Sequence, residues 1–133
     1  CYRCTGGAWI SLAVGTDAQW RQLCHVLDSP ELASDPRYAT RGARHQHTEA
    51  LDAALASLVR THEAEPLARR LRSAGVPAAK SATSVDVIGD QLLWDRGLYR
   101  FVTDHREGQR PIVGPSWRMA ECPAQITRGA PEL

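Results

Sequence analysis

The fold of this chain is constrained most by residues 2–27, whose pattern predicts a strand, a sharp turn and a helix in close succession. Residues 9–14 are mostly apolar and β-prone, which favours a largely buried strand. Gly15 ends that strand, and the side chain of Thr16 or Asp17 can cap a helix by accepting from the free amides of its first turn. Such a turn can line a ligand cleft or hold an anion, although geometry alone favours a plain strand–helix unit without a ligand.

Composition excludes several classes of protein. The 133 residues suffice for one domain, and 43% hydrophobic with 23% charged residues is typical of a globular chain. A net charge of +1 gives no electrostatic footprint for nucleic acid or a membrane surface. No apolar run approaches the ~20 residues of a membrane span and no signal-peptide pattern is present, so a cytoplasmic protein is expected. Because the chain begins at Cys1 and not at methionine, we expect a piece of a longer protein.

The cysteines offer only a weak metal site. Cys1 and Cys4 form a lone C-x-x-C, and the further candidate ligands are His25 beside Cys24, and His45 with His47. A structural zinc site usually combines two paired knuckles, and the second is absent here. We therefore predict reduced, structural thiols, with Cys24 in the core and no bound metal.

Three further helices are predicted from apolar residues at helical spacing. They cover residues 48–61, residues 63–74 and the shorter stretch 84–96. Two basic groups flank this pattern. Residues 41–47 could clamp an anion, but the solvated first turns of a helix are the favoured interpretation. The arginines within residues 69–72 suit the negative end of a helix dipole.

The remaining pattern predicts an α+β fold, with several helices packed around a small, mainly antiparallel sheet. Its strands are expected at residues 9–14, 98–103 and 111–113, with a glycine-containing hairpin loop at 105–108. Residues 115–133 are expected to be extended and irregular. The core is predicted to contain Trp20, Leu23, Leu55, Leu58, Leu71 and Phe101.

The residues alone identify no active site. The sequence contains no nucleophile elbow, phosphate-binding loop, metalloprotease motif or dinucleotide fingerprint. No pair of carboxylates has a spacing and an apolar setting that would single it out for acid–base catalysis. We therefore assign no catalytic, cofactor-binding or metal-binding residue within this chain.

Several segments, taken in order, carry a family resemblance. They are YRCTGGAWISLAVGTDAQWRQLCHVL, SPELASDPRYAT, LARRLRSAGVPA, VIGDQLLWDRG, DHREGQRPIVGP and CPAQITRGAPEL. Together they resemble the later part of class III, CaiB/BaiF-type CoA-transferases, a family that includes formyl-CoA transferase, carnitine CoA-transferase and α-methylacyl-CoA racemase. AVGTDAQW, DPRY and AGVPA are the most telling pieces, and the resemblance covers almost the whole chain.

The resemblance implies that this chain is one part of a longer protein whose catalytic aspartate lies in another domain. Residues 1–114 would be the small domain, and residues 115–133 would return toward a large CoA-binding domain that carries the catalytic aspartate. Full-length members form interlocked homodimers and use coenzyme A as a co-substrate. The turn formed by Val14, Gly15 and Thr16 would face the acyl part of the substrate.

Three functional hypotheses follow. The preferred one is a fragment of an acyl-CoA transferase or 2-methylacyl-CoA racemase that is inactive alone. The second is a non-catalytic zinc-binding or interaction module that uses Cys1, Cys4, His45 and His47. The third is a helical adaptor that uses the basic groups at residues 41–47 and 69–72.

Overall fold

The computed structural model describes residues 1–105, 108–122, 124 and 126, with the side chain of Asp104 outside that description. Over these residues the chain forms seven α-helices and two small antiparallel sheets, which confirms the predicted α+β class. The strands are β1 (Tyr2–Arg3), β2 (Trp9–Leu12), β3 (Ala78–Lys80), β4 (Tyr99–Asp104) and β5 (Gly108–Val113). The helices are α1 (Asp17–Val26), α2 (Pro30–Ser34), α3 (Arg41–Gln46), α4 (Thr48–Val59), α5 (Ala64–Ser73), α6 (Ser84–Ile88) and α7 (Gln91–Asp95).

The chain divides into two units, residues 1–81 and residues 82–133, which are called the first and second unit below. The predicted boundary after residue 114 concerns a longer protein and stays a prediction. No helix formed by the described residues is long and apolar enough to cross a membrane.

The first unit contains a three-stranded sheet in the order β1–β2–β3, with both pairs antiparallel. Ile10 is opposite Tyr2 on one side and Lys80 on the other, and it is fully buried. The predicted strand at residues 9–14 therefore exists, but it ends at Leu12 and only Ile10 in it is buried.

Helix α1 begins where the sequence places its cap. The Thr16 side chain accepts from the Gln19 amide at 3.1 Å, and the Gln19 side chain accepts in return from the Thr16 amide at 3.3 Å. This reciprocal capping box satisfies amides that the first turn leaves unpaired. Apolar residues three and four apart then turn inward, so Trp20, Leu23 and Cys24 are buried as predicted.

Helices α4 and α5 complete the core of the first unit. Their inward residues are Leu51, Leu55, Val59, Ala64, Leu67, Ala68 and Leu71. Leu58, predicted to be in the core, is only partly buried against it. Pro66 is in the first turn of α5, where its missing amide proton costs nothing. Gly75 then ends the helix with a φ of 78°, a left-handed conformation that favours glycine.

The second unit consists of short elements. Helices α6 and α7 replace the single helix predicted over residues 84–96, because Asp90 leaves helical geometry and its carboxylate caps α7 through the Leu92 amide at 2.9 Å. Strands β4 and β5 form a separate two-stranded ribbon. The predicted single sheet that joined them to β2 is therefore wrong.

Phe101 was predicted to be a core residue, and this too is wrong, since its side chain is 61% exposed. Among the described residues no further strand pairs with the ribbon, and Phe101 packs only partly, with its ring 5.0 Å from that of Trp94. The loop predicted at residues 105–108 and the tail predicted at residues 115–133 lie partly outside the described residues.

Candidate functional site

A groove of about 630 Å³ opens in the first unit among β1, β2, α1, α3 and α4, and it is called the groove below. Its apolar lining consists of Leu12, Val14, Trp20, Leu23, Leu51 and Leu55. Its polar lining consists of Tyr2, Arg41, Arg44, His45, Thr48 and Asp52, beside Gly42. A volume of this size and an apolar lining with a few polar groups are typical of small-molecule sites.

The predicted substrate-facing turn lies at the groove only in part. Val14 lines it, whereas Gly15 and Thr16 are exposed residues that lead into α1. The sequence predicted free amides at this turn, yet the Gln19 side chain accepts from the Gly15 amide at 2.8 Å and from the Thr16 amide. The side-chain nitrogen of Gln19, Nε2, also donates to the Gly75 carbonyl at 3.3 Å, and this hydrogen bond fixes the side chain. Those two amides are therefore occupied, and they give no anion site in this conformation.

Arg44 fixes the wall of the groove that α1 and α3 share. Its side chain is only 7% exposed, and it donates to the Tyr38 carbonyl at 3.0 Å and to the Asp17 carboxylate at 2.8 Å. Its guanidinium carbon lies 5.4 Å from the centre of the Trp20 ring, within the range of a cation–π contact. A buried arginine needs such partners, because an unpaired charge in the interior is costly. The residue therefore positions the groove and has no charge left to offer a ligand.

Tyr2 and Asp52 connect β1 to α4 at the groove. The Tyr2 hydroxyl donates to the Asp52 carboxylate at 2.5 Å. Burial, and then this hydrogen bond, raise the pKa of Tyr2 far above its ordinary value. The phenol consequently stays protonated and keeps the Asp52 carboxylate engaged.

Arg41 and His45 are on one face of α3, a turn apart, and both are exposed at the groove. The favoured interpretation of residues 41–47 as a solvated face holds for these two side chains and fails for the buried Arg44. Within the part of the chain that the structure describes, neither Arg41 nor His45 has a side-chain hydrogen bond or ion pair.

The two alternative hypotheses gain no support from the geometry. Over the described residues, no group of three or more histidine, cysteine or acidic side chains is close enough to hold a metal ion. Cys4 is buried and Cys1 is exposed. The absence of bound zinc stays a prediction, which elemental analysis of the purified chain tests. Arg70 donates to the Val26 carbonyl and Arg72 to the Ala78 carbonyl, so these arginines support the first unit itself.

Sequence reasoning missed the polar side of the groove. The pairs Arg44–Asp17 and Tyr2–Asp52 join residues far apart in the chain, and no short-range pattern reveals such partners.

Comparison with known proteins identifies the family. The family described as CoA-transferase family III matches residues 1–133. A succinyl-CoA–D-citramalate CoA-transferase of Chloroflexus aurantiacus is 32% identical over 132 residues, which are 99% of this chain and 33% of that protein. A succinate–glutarate CoA-transferase of Agrobacterium fabrum is 27% identical over 135 residues, covering 97% of this chain and 32% of that protein.

A solved structure agrees with this result. A CaiB/BaiF family protein from Brucella suis superposes with a TM-score of 0.83 at 28% identity, over 99% of this chain and 33% of the other. The chain thus spans about a third of the length of the proteins it matches.

Proposed function

The chain belongs to family III of the CoA-transferases, and from that premise we propose that it is the small domain of a longer acyl-CoA transferase. The match over all 133 residues, against a third of each relative's length, supports this proposal. In the parent protein, residues 1–114 form the small domain and residues 115–133 return toward the CoA-binding part. The parent is a cytoplasmic homodimer that takes coenzyme A thioesters as substrates.

The chemistry of CoA transfer leads us to expect that the chain alone is inactive. Transfer begins when an enzyme carboxylate attacks the thioester carbonyl; the carbon–sulfur bond then breaks, CoA leaves as its thiolate, and the acyl group remains joined to the carboxylate as an anhydride. The carboxylate that lines the groove, Asp52, already accepts a hydrogen bond from Tyr2. We therefore place the nucleophile in the missing part and give the small domain the role of shaping the acyl side of the cleft.

Transferase activity is favoured over racemase activity. The two curated relatives described above are named for transfer of CoA among succinyl-CoA, D-citramalate, succinate and glutarate. All of these acids are dicarboxylic. The parent protein accordingly exchanges CoA between dicarboxylic acids.

The observation that carries this proposal is the position of Val14 in the apolar lining of the groove, next to the turn that the family resemblance assigns to the acyl group. A test combines the chain with its upstream half and measures transfer of CoA from succinyl-CoA to glutarate. The 133 residues alone should give no transfer, and the mixture should restore it.

Gly15→Leu then probes the turn. A Cβ at Gly15 would meet the Gln19 side chain at 3.5 Å, an ordinary contact, so a side chain can begin there without a backbone clash. The KM for the acid should rise about tenfold or more with little change in CoA binding, as expected when bulk enters the acyl side only. Ala53→Leu adds similar bulk at an exposed position on α4, and it should change neither the KM for the acid nor the binding of CoA. Turnover by the chain alone, or equal effects of the two variants, would contradict the proposal.

A further inference from the structure

The charges around the groove are unevenly compensated. Asp17 neutralises Arg44, and Tyr2 engages Asp52. Arg41 lines the groove and has no acidic partner among the described side chains. His45 adds a second polar side chain one turn along the same face of α3. This side of the groove is therefore complementary to an anion.

The remaining lining of the groove is apolar and includes Trp20, which is 2% exposed. The buried indole N–H of Trp20 has no hydrogen-bond partner within the described residues. Buried donors are almost always paired in finished interiors, so this side chain is an exception among the described residues.

We propose that the groove binds the carboxylate-bearing end of an acyl group, with Arg41 holding the remote carboxylate and the apolar lining covering the methylene chain. A guanidinium can donate two parallel hydrogen bonds to a carboxylate, which makes it the usual partner for such a group. His45 supplies a further donor beside it. Leu12 and Val14 extend the apolar lining toward the turn that precedes α1.

This inference rests on the proposed function for the choice of acid, since the relatives named above act on dicarboxylic acids. It goes further in assigning recognition of the second carboxylate to Arg41. Specificity for a dicarboxylic acyl group over a plain fatty acyl group then comes from one exposed arginine in the small domain.

The experiment uses the 133-residue chain without CoA or any other protein. Monomethyl glutarate is the probe, because its ester stands in for the thioester and its free carboxylate for the remote acid. Dimethyl glutarate is the matched neutral compound. The indole N–H resonance of Trp20 reports binding in ¹⁵N-labelled protein and is assigned after Trp9, Trp94 and Trp117 are each changed to Phe.

Monomethyl glutarate should shift the Trp20 resonance saturably, and dimethyl glutarate should bind at least about tenfold more weakly, because it lacks the charge-assisted hydrogen bonds. Arg41→Gln should weaken the binding of monomethyl glutarate by about tenfold or more. Arg41→Lys should restore part of the lost affinity. Arg60→Gln removes another exposed arginine that lies outside the groove, and it should change nothing. Arg41 and Arg60 are both exposed, so the arginine variants are expected to fold.

Three results would overturn the inference. They are the absence of a saturable shift, equal binding of the acid and the diester, and wild-type affinity in Arg41→Gln. None of them bears on CoA transfer, which the reconstituted enzyme tests separately. Conversely, binding that depends on Arg41 would stand even if the reconstituted enzyme proved inactive.

Discussion

The two units of this chain differ in how far they bury their apolar side chains. In the first unit, residues such as Ile10, Leu23 and Leu71 are fully buried in one continuous cluster. In the described part of the second unit, Val102 is the buried hydrophobic side chain, at 4% exposure. The large apolar side chains that remain exposed there are Val85, Ile88, Leu92, Phe101, Val113, Trp117 and Met119.

The difference shows that hydrophobic content does not by itself create an interior. The first unit stacks long amphipathic helices on a sheet, and each helix covers the apolar face of another element. The second unit has two five-residue helices and a two-stranded ribbon, which are too short to cover one another. We therefore expect the first unit to hold most of the stability of the chain.

The largest expected contrast is in thiol reactivity. Cys24 is 2% exposed and burial raises its pKa to about 11, so at pH 8 it holds less of the reactive thiolate than an ordinary cysteine. Cys122 is exposed. Labelling with iodoacetamide should be at least about a thousandfold slower at Cys24 than at Cys122, because the reagent reaches Cys24 only when the core opens. Peptide mapping by mass spectrometry measures both rates in the native chain, and similar rates would mean that the first unit lacks a stable interior.

The second largest contrast between the units is expected when an apolar side chain is truncated in each. Leu71→Ala removes a fully buried side chain and should lower the free energy of unfolding by about 2–5 kcal/mol. Leu92→Ala, the matched change at a side chain that is 55% exposed, should stay within about 0.5 kcal/mol. Urea denaturation of both variants gives the comparison. A large loss at Leu92 would mean that the second unit depends on apolar contacts after all.

The arginines of the two units give a smaller contrast. Arg44→Gln leaves the Tyr38 carbonyl without its donor and removes the contact with Trp20. Its partner Asp17 is half exposed and can be rehydrated, so the expected loss is about 2 kcal/mol, below that for a fully buried pair. Arg100→Gln in the second unit should change little, since that exposed side chain donates to two carbonyls at 3.3 Å. Thermal unfolding of both variants measures the contrast. Equal losses of stability in Arg44→Gln and Arg100→Gln would contradict it.

What the sequence could predict follows the same division. A cap at Thr16 or Asp17 and the burial of Trp20, Leu23 and Cys24 were predicted because local spacing determines them. The helix predicted over residues 63–74 matches α5 for the same reason. The pairing of β2 with β3 was not predicted, since partner strands far apart in the chain leave no local pattern. The prediction for Phe101 failed because an apolar side chain in a ribbon is buried only if another layer covers it.

The candidate site was predictable only at one end. The family resemblance implied that the turn from Val14 to Thr16 faces the substrate, and the strand–helix pattern predicted a turn at the same place; Val14 lines the groove. Occupation of the turn amides by Gln19 was not foreseen, because a capping box and a free anion site begin from the same residues. The groove itself depends on Arg44 and Tyr2, whose partners are set by tertiary packing.

The smallest expected effects come from two matched caps. Thr16 and Thr83 each form a capping box, and their hydroxyls accept from the amide three residues later at 3.1 and 3.2 Å. Thr16→Ala should cost about 1 kcal/mol in the main unfolding transition, because α1 contributes buried side chains to the core. Thr83→Ala should only increase amide exchange locally, because α6 is five residues long and buries none of them. Hydrogen exchange followed by mass spectrometry, together with urea titration, measures both responses. Equal losses in the main transition would show that α6 unfolds with the core, and the contrast between the two units would then be one of exposure and not of stability.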